Sequence, residues 1–450
     1  MDRRTFLTGL GAAVTTPAAA AVEADRPVLT ETLNAAELGL DSEASANQSR
    51  ALQRLLDLAS DDDRQIFLPA GSYVVSDLKL PARTRLAGVP GATRLVFGGG
   101  ASMLRGERAE LVRLRDLIID GAGQPLDDYV PGIVHLIDSR DVSIEDCTVT
   151  GSSRSGIALD RSAGRIRGNT IREAGHAGIR AIESTGLTIA DNTVEDCDNN
   201  GIQAWRWTAG EDGTIVTGNR VQRIAAKDGG TGQNGNGINV FRANGAIVAN
   251  NRIVDCAFTA VRANSANNVQ IIGNNCLGSG ETGIYAEFSF EGAVIANNIV
   301  DGATTGIAAV NFNEGGRMAA VSGNIVRNLA DFGTHPPGLL GFGIGIAIEA
   351  DTSVTGNVID GAPSVGMLIG WGPYLRDVAA TGNVIRRALI GIAVSVVEGA
   401  GSAVISDNLI SGASRGAILG MRWGEPASGD LAEGGAEEFP HLLIERNRVS

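Results

Sequence analysis

The chain has 450 residues and is poor in aromatic side chains, at 4%, although 43% of it is hydrophobic. Its few rings are therefore informative by position. It also lacks positive charge: the net charge is −14 and the isoelectric point is near 4.8. That argues against nucleic acid or an anionic membrane surface as a partner, because both are recognised by a basic face. Beyond the N-terminus no apolar run reaches the ~18 residues that cross a bilayer, so no membrane span is expected. Cysteines number only four. No Ser-His-Asp order, phosphate-cradling loop, zinc-spaced cluster or dinucleotide fingerprint stands out.

What the chain has in excess is glycine, 61 residues, about twice the usual share, and a repeat. Asn, any residue, then Ile, Val or Leu recurs at Asn169, Asn192, Asn219, Asn251, Asn275, Asn297, Asn324, Asn357, Asn383, Asn408 and Asn447. Between these lies Gly-Ile or a close variant, at Gly156, Gly178, Gly201, Gly237, Ala260, Gly283, Gly306, Gly345, Gly366, Gly391 and Gly416. The tightest intervals are 22 and 23 residues. A fixed period of this size marks a solenoid, so most of the chain is one elongated unit.

In each Gly-Ile segment the first and third residues after the glycine are apolar, as in Ile202 and Ala204 or Ile238 and Val240. Period-two alternation puts them on one face of a strand. One coil alone cannot bury them. Stacked coils bury them in a continuous core, each side chain worth at most ~1.5–3 kcal/mol. The repeated Asn is expected to form an internal ladder, its amide bonding turn backbone and the Asn above. An Asn that merely tolerates a tight turn would leave the same pattern. Stacking also argues against disulfides. Cys197 and Cys256 share a coil position two rungs apart, ~9.6 Å, beyond the ~7 Å that a disulfide allows between Cα atoms. Cys147 and Cys276 sit elsewhere on their coils, so four free thiols are expected.

The N-terminus carries Arg3-Arg4-Thr5-Phe6-Leu7, then an apolar stretch of small residues, with A-x-A-like cleavage sites at Ala18 to Ala21. The paired arginines followed by Phe-Leu resemble a twin-arginine signal, which implies that translocation machinery as a partner. Removing residues 1–21 leaves a mature chain one charge more negative, expected to be periplasmic or secreted. Residues 22–44 read as a lead-in. Residues 45–97 read as a capping helix and first coils: Ser45-Ala46-Asn47-Gln48 has the S-x-x-Q form of a capping box, and Leu52, Leu55, Leu56 and Ala59 follow at helical spacing to an end near Ser60. Gln65 to Val75, with Leu78, Leu80 and Leu86-Ala87-Gly88 behind it, reads as short strands between Gly and Pro breaks.

This helix followed by FLPAGSYVV and LKLPARTRLAG resembles the N-terminal part of pectate-lyase-like right-handed β-helix proteins. The resemblance implies an all-β, right-handed parallel β-helix whose open end is plugged by the helix. With its twin-arginine-like start, the whole resembles exported parallel β-helix repeat proteins. Residues 98–450 form the expected solenoid. Loop insertions fall before a Gly-Ile strand at 225–236 and 327–343, and after one at 205–213, 312–318, 371–377 and 421–440. The last of these is expected to fold over the final coil, whose edge is otherwise open.

The inside of such a solenoid is filled, so function belongs on an outer face or between loops. The outward second positions after the glycine read Arg180, Gln203, Asn239, Arg262 and Tyr285; the fourth read Trp205, Phe241, Asn264 and Glu287. Arg206 and Arg242 add a matched pair one step further on. Later coils present mostly small or apolar residues there. Rings stack on pyranose faces, while amides and guanidinium groups take hydroxyls and carboxylates. A solvated sheet face whose rings pack on neighbouring rungs is the plainer alternative.

The functional expectation is an exported protein that binds or acts on an acidic polysaccharide or oligosaccharide, by lyase or epimerase chemistry. In β-elimination a base removes the proton beside a carboxylate and a cation stabilises the developing charge. The resembled family often uses Arg or Lys near bound calcium. Arg262 is the candidate base or charge stabiliser, with Tyr285 and Arg180 assisting and Glu287 orienting an arginine. Gln203, Trp205, Arg206, Asn239, Phe241, Arg242 and Asn264 would hold the sugar. A second reading is a non-catalytic envelope or surface repeat protein that binds glycan or protein. A third is a glycoside hydrolase using Asp160 and Glu183, which would need ~5 to 9.5 Å between carboxyls. His176 is a lone candidate base. No cofactor is required, but calcium, with its roughly six to eight oxygens, has candidate ligands in Glu195-Asp196-Cys197-Asp198 and in Asp196, Asp255 and Asp301, read as one shared turn position.

Overall fold

The computed structural model describes residues 32–450; the signal-peptide reading of residues 1–21 lies outside the described residues. Among these the chain winds as a parallel β-helix. Strands Ser155–Asp160, Gly164–Arg167 and Thr170–Arg172 complete one coil before Ala177–Ile182 begins the next. The middle strands stack into a 16-stranded sheet, and the other two series share a 27-stranded sheet. Pairing is in register from coil to coil, as Ile157 with Ile179 and Ile179 with Ile202. All these isoleucines are fully buried, which confirms the inward face read from the alternation.

The glycine of each Gly-Ile strand packs tightly against the next coil. A Cβ at Gly201 would lie 2.4 Å from the Gly237 carbonyl oxygen and 2.5 Å from Val221 Cγ1. Close approach, not backbone conformation, demands glycine there. In the last coil a bulge after Ala388 shifts the frame, so Ile392 faces Ile418 and the glycine position falls on Ala417 rather than on the expected Gly416.

The asparagine ladder runs unbroken. Asn169 donates from both its backbone N–H and its Nδ2 to Asn192 Oδ1, each at 3.0 Å, and the pattern continues to Asn408 and Asn447. In two coils its member is not the residue first expected. Asn274 and Asn298 are ladder residues, not Asn275 and Asn297. The residue two beyond a ladder Asn must point inward, and Cys276 and Val300 do so.

At the N-terminal end, α1 (Ser49–Asp61) buries Leu52, Leu55, Leu56 and Ala59 as its spacing predicts. It starts later than the capping box implied. Its N-cap is Gln48, whose amide is committed to the Asp41 backbone instead, and Asn47 Oδ1 accepts the Ser49 N–H at 2.9 Å. The lead-in is partly structured: Leu33–Asn34 pairs with Ile66–Phe67 as the first rung. At the other end Glu425–Asp430 turns back antiparallel on Leu409–Arg422, and the Asp430 carboxylate accepts the N–H groups of Ala417 (2.6 Å) and Ile418 (3.0 Å). This hairpin covers part of the terminal edge, the role expected of the 421–440 insertion. All four cysteines are free and buried, with Cys197 and Cys256 each aligned to Ile224 between them.

Candidate functional site

Register alone assembles the outward residues. Arg180, Gln203, Asn239, Arg262 and Tyr285 occupy consecutive rungs of one column, and Ala158 and His135 extend it towards the N-terminus. Two residues further along the strands, Trp205, Phe241, Asn264 and Glu287 form a parallel column. The side-by-side arrangement expected from the repeat is present.

The expected openness is not. Gln203, Asn239, Arg262 and Glu287 are only 1%, 2%, 5% and 1% exposed. The 225–236 loop lies over them: Arg262 Nη1 donates to Thr231 O at 2.6 Å, and Asn239 Nδ2 to Gly232 O at 3.3 Å. Loop length was visible in the sequence, but the direction in which the loop folds was not. The larger hollows accordingly flank the column. One, about 680 Å³, lies between the two long loops and is lined by Cys256, Thr304 and Phe332 among others.

Arg262 is clamped. Its Nε and Nη2 bond the two Glu287 oxygens at 2.6 and 2.8 Å, and its Nη1 lies 3.1 Å from Glu281 Oε2. Burial works against its charge, but Glu287 and Glu281 outweigh it and hold the guanidinium above its ordinary value. Such a group has no lone pair to accept a proton. The geometry fits the charge-stabilising half of the expectation and not the general-base half. Glu287 does orient an arginine, and it also accepts from Asn264 Nδ2 at 2.7 Å. The Tyr285 ring lies under the Arg262 guanidinium at 5.0 Å. Burial pushes its hydroxyl up, so it stays protonated at neutral pH.

At the other end of the column, Arg180 bonds Asp160 at 2.6 Å and His135 Nε2 bonds the same carboxylate at 2.9 Å. Burial alone would raise Asp160, but these two partners hold it below the usual carboxylate range. Glu183 is tied to Arg206 at 2.9 Å and accepts the Trp207 N–H at 2.7 Å. The two carboxyls of the hydrolase reading are therefore each committed elsewhere. His176 is lowered by burial, and its Nδ1 has no partner.

Arg206 and Arg242 are not a matched pair. The register breaks after Trp205, so that Gly210 faces Ala243. Arg206 turns to Glu183, whereas Arg242 covers the Phe241 ring at 4.7 Å and donates to Trp207 O. The turns after the Gly-Ile strands instead gather rings. Trp205 meets Phe241 at 5.8 Å and Trp207 at 6.5 Å, and Trp371 meets Trp423 at 5.8 Å. Trp207 and Trp423 are 59% and 45% exposed. The four tryptophans thus form two separate ring clusters, one around Trp205 and one around Trp371.

Glu349 is a further candidate, masked in the sequence by the small and apolar residues of the later coils. It stands in the fourth-position column among small and apolar neighbours, only 7% exposed, and its Oε2 accepts the Phe312 N–H at 2.6 Å. Burial pushes it up to about 7, and it is close enough to raise Tyr285 further. A lone carboxylate at a position otherwise held by Val310, Gly370 and Ser395 was the available signal.

The acidic cluster does not fit calcium. Arg223 neutralises Asp196 and Glu195 at 2.7 and 2.8 Å, Lys227 holds Asp198 at 2.7 Å, and Cys197 points inside. Asp301 does not share the Asp196 position: it aligns with Leu277 and pairs with Arg327 at 2.9 Å. These oxygens are spent on cations already present.

Comparison with known structures bears on the fold. The A-module of a mannuronan C-5 epimerase from Azotobacter vinelandii is 16% identical, with a TM-score of 0.52 over 93% of this chain and 99% of that one. The pre-mature gene product 12 of bacteriophage phi29 is 15% identical, with a TM-score of 0.52 over 86% of this chain and 55% of that one. The family model for the right-handed β-helix region matches residues 118–221 and 208–376. The chain belongs to the right-handed β-helix family.

Proposed function

We propose that this is an exported protein that holds an acidic polysaccharide lengthwise along the column from Arg180 to Tyr285. The observation that carries the reading is the pairing of two columns: amides, guanidinium groups and the Tyr285 ring in one, and the rings of Trp205 and Phe241 followed by Asn264 and Glu287 in the other. That is the chemistry needed for the hydroxyls, carboxylates and flat faces of a sugar chain. The epimerase module, whose name specifies mannuronan, shares the fold. Export belongs to the same proposal and rests on Arg3 and Arg4.

Turnover, where it occurs, is elimination or epimerisation beside a carboxylate. Glu349, ionised above about 7, accepts the proton removed beside the carboxylate, Arg262 supplies fixed positive charge to the anion that forms, and Tyr285 returns a proton to the leaving oxygen or to the opposite face of the carbon. A purely binding role is the second reading, favoured by how completely Arg262 is occupied. A glycan array identifies the ligand, and absorbance at the unsaturated-uronate band reports elimination. In an enzyme, Tyr285→Phe abolishes turnover and spares binding; in a binder it changes affinity alone. An array on which no glycan is retained defeats both readings.

A further inference from the structure

We infer that residues 229–234 form a lid over a sugar subsite centred on Gln203, and that the lid's carbonyl oxygens hold the places of ligand oxygens. The inference rests on the glycan reading and names a subsite and its control. Both feet of the lid stand on Asn199. The Asn199 amide bonds Asp228 in both directions, at 2.8 and 2.9 Å, and the Asn199 carbonyl accepts the Gly235 N–H. Between the feet the backbone turns through positive φ at Gly229 and Gly230, a conformation that glycine adopts without strain.

The lid meets the floor through a set of bonds of one kind, from floor side chains to lid carbonyls. Arg262 Nη1 donates to Thr231 O at 2.6 Å, Asn200 Nδ2 to Gln233 O at 2.8 Å, and Asn236 and Asn239 to Gly232 O at 3.2 and 3.3 Å. A hydroxyl or carboxylate oxygen accepts such bonds equally well. Gln203 sits in the middle of this floor, three residues beyond Asn200 and facing Asn239 on the next rung. Its amide is buried, and among the described residues neither Nε2 nor Oε1 has a partner, nor do Asn236 Oδ1 and His176 Nδ1. A lid carbonyl can only accept, so it cannot satisfy Oε1. A sugar hydroxyl both donates and accepts. Arg180, next in the column with its side chain one-fifth exposed, gives one N–H to Asp160, and its guanidinium has further N–H donors that suit a ligand carboxylate. The ligand class is therefore a polyhydroxylated acid, a uronate unit.

The closed lid leaves Gln203 unpaired, and the entering sugar pairs it. The same entry frees the donors of Asn200, Asn239 and Arg262 for the ligand. Because only the open state binds, ligand shifts the lid equilibrium by its preference for that state.

Hydrogen exchange on the mature chain, with and without saturating oligouronate, tests this. Exchange at Asp228, Gly229 and Gly235, whose N–H groups are bonded in the closed lid, is expected to rise on binding, and Gln203→Leu is expected to fold normally, slow that exchange and weaken oligouronate binding roughly tenfold or more. Oligouronate that binds without changing lid exchange, or that binds Gln203→Leu as tightly as wild type, overturns the lid and leaves the glycan reading intact. If Gln203→Leu does not fold, the wild-type exchange result decides alone. Failure of wild type to bind any oligouronate removes both proposals together.

Discussion

Asn274 and Asn275 are neighbours, but only the first joins the ladder. Asn274 exchanges bonds with Asn251, Asn298 and the Val248 carbonyl, whereas Asn275 Oδ1 bonds nothing. Deleting the first side chain strands several buried groups, each costing about 1–3 kcal/mol. Asn274→Ala should therefore lose about 2–4 kcal/mol in chemical denaturation, and Asn275→Ala about 0.5 kcal/mol or less. The frame was recoverable from the sequence. The residue before a ladder Asn adopts positive φ, as Gly273 and Asn297 do, a position for Gly, Asn or Asp. Glu349 gives a second test at this scale. Its folded value of about 7 exceeds its ordinary 4.5. A raised carboxyl favours folding below the ordinary value, and that advantage is lost as pH climbs through the window between the two. Glu349→Gln should thus gain up to about 3 kcal/mol over wild type at pH 8 and almost nothing at pH 4, read from urea titrations at each pH.

Among the elements, strands were the most legible because burial imposes their period of two. Helix α1 was legible by its apolar spacing and not by its cap, since Gln48 is committed to Asp41 and the Asn47 amide reaches Ser76, partners that helix-capping spacing does not display. Loops were legible as insertions only. What the 225–236 segment covers depends on donors that register brings beneath it from Asn200, Asn239 and Arg262. The hairpin Glu425–Asp430 protects an otherwise unpaired edge, and the Asp430 carboxylate ties it to Ala417 and Ile418 beside the backbone pairing. Asp430→Ala should speed hydrogen exchange at Ala417 and Ile418 and lower stability by about 1–3 kcal/mol; light scattering should rise as the edge is uncovered. Unchanged exchange at those two amides would show that the hairpin is held elsewhere.

Across the whole molecule, rung spacing converts sequence repeats into distance. Arg180 to Tyr285 spans four steps of ~4.8 Å, about 19 Å. Oligouronate affinity, measured by calorimetry, should climb with chain length and level off once the ligand spans that distance. A length-independent affinity would point to one local pocket instead. The side-by-side order of the candidate site was legible from the repeat, while its concealment was not, because that belongs to loops rather than to coils. The stacked core has one more consequence. Burial pushes the thiols of Cys147, Cys197 and Cys276 up to about 12 and raises Cys256 as well, so none is a usable nucleophile while the coils stay wound. Unwinding exposes them, and in air they then cross-link, two thiols losing their hydrogens to oxygen for each bond formed. Recovery from heat becomes a question of chemistry as much as of folding: reversible under reductant, a tangle without it.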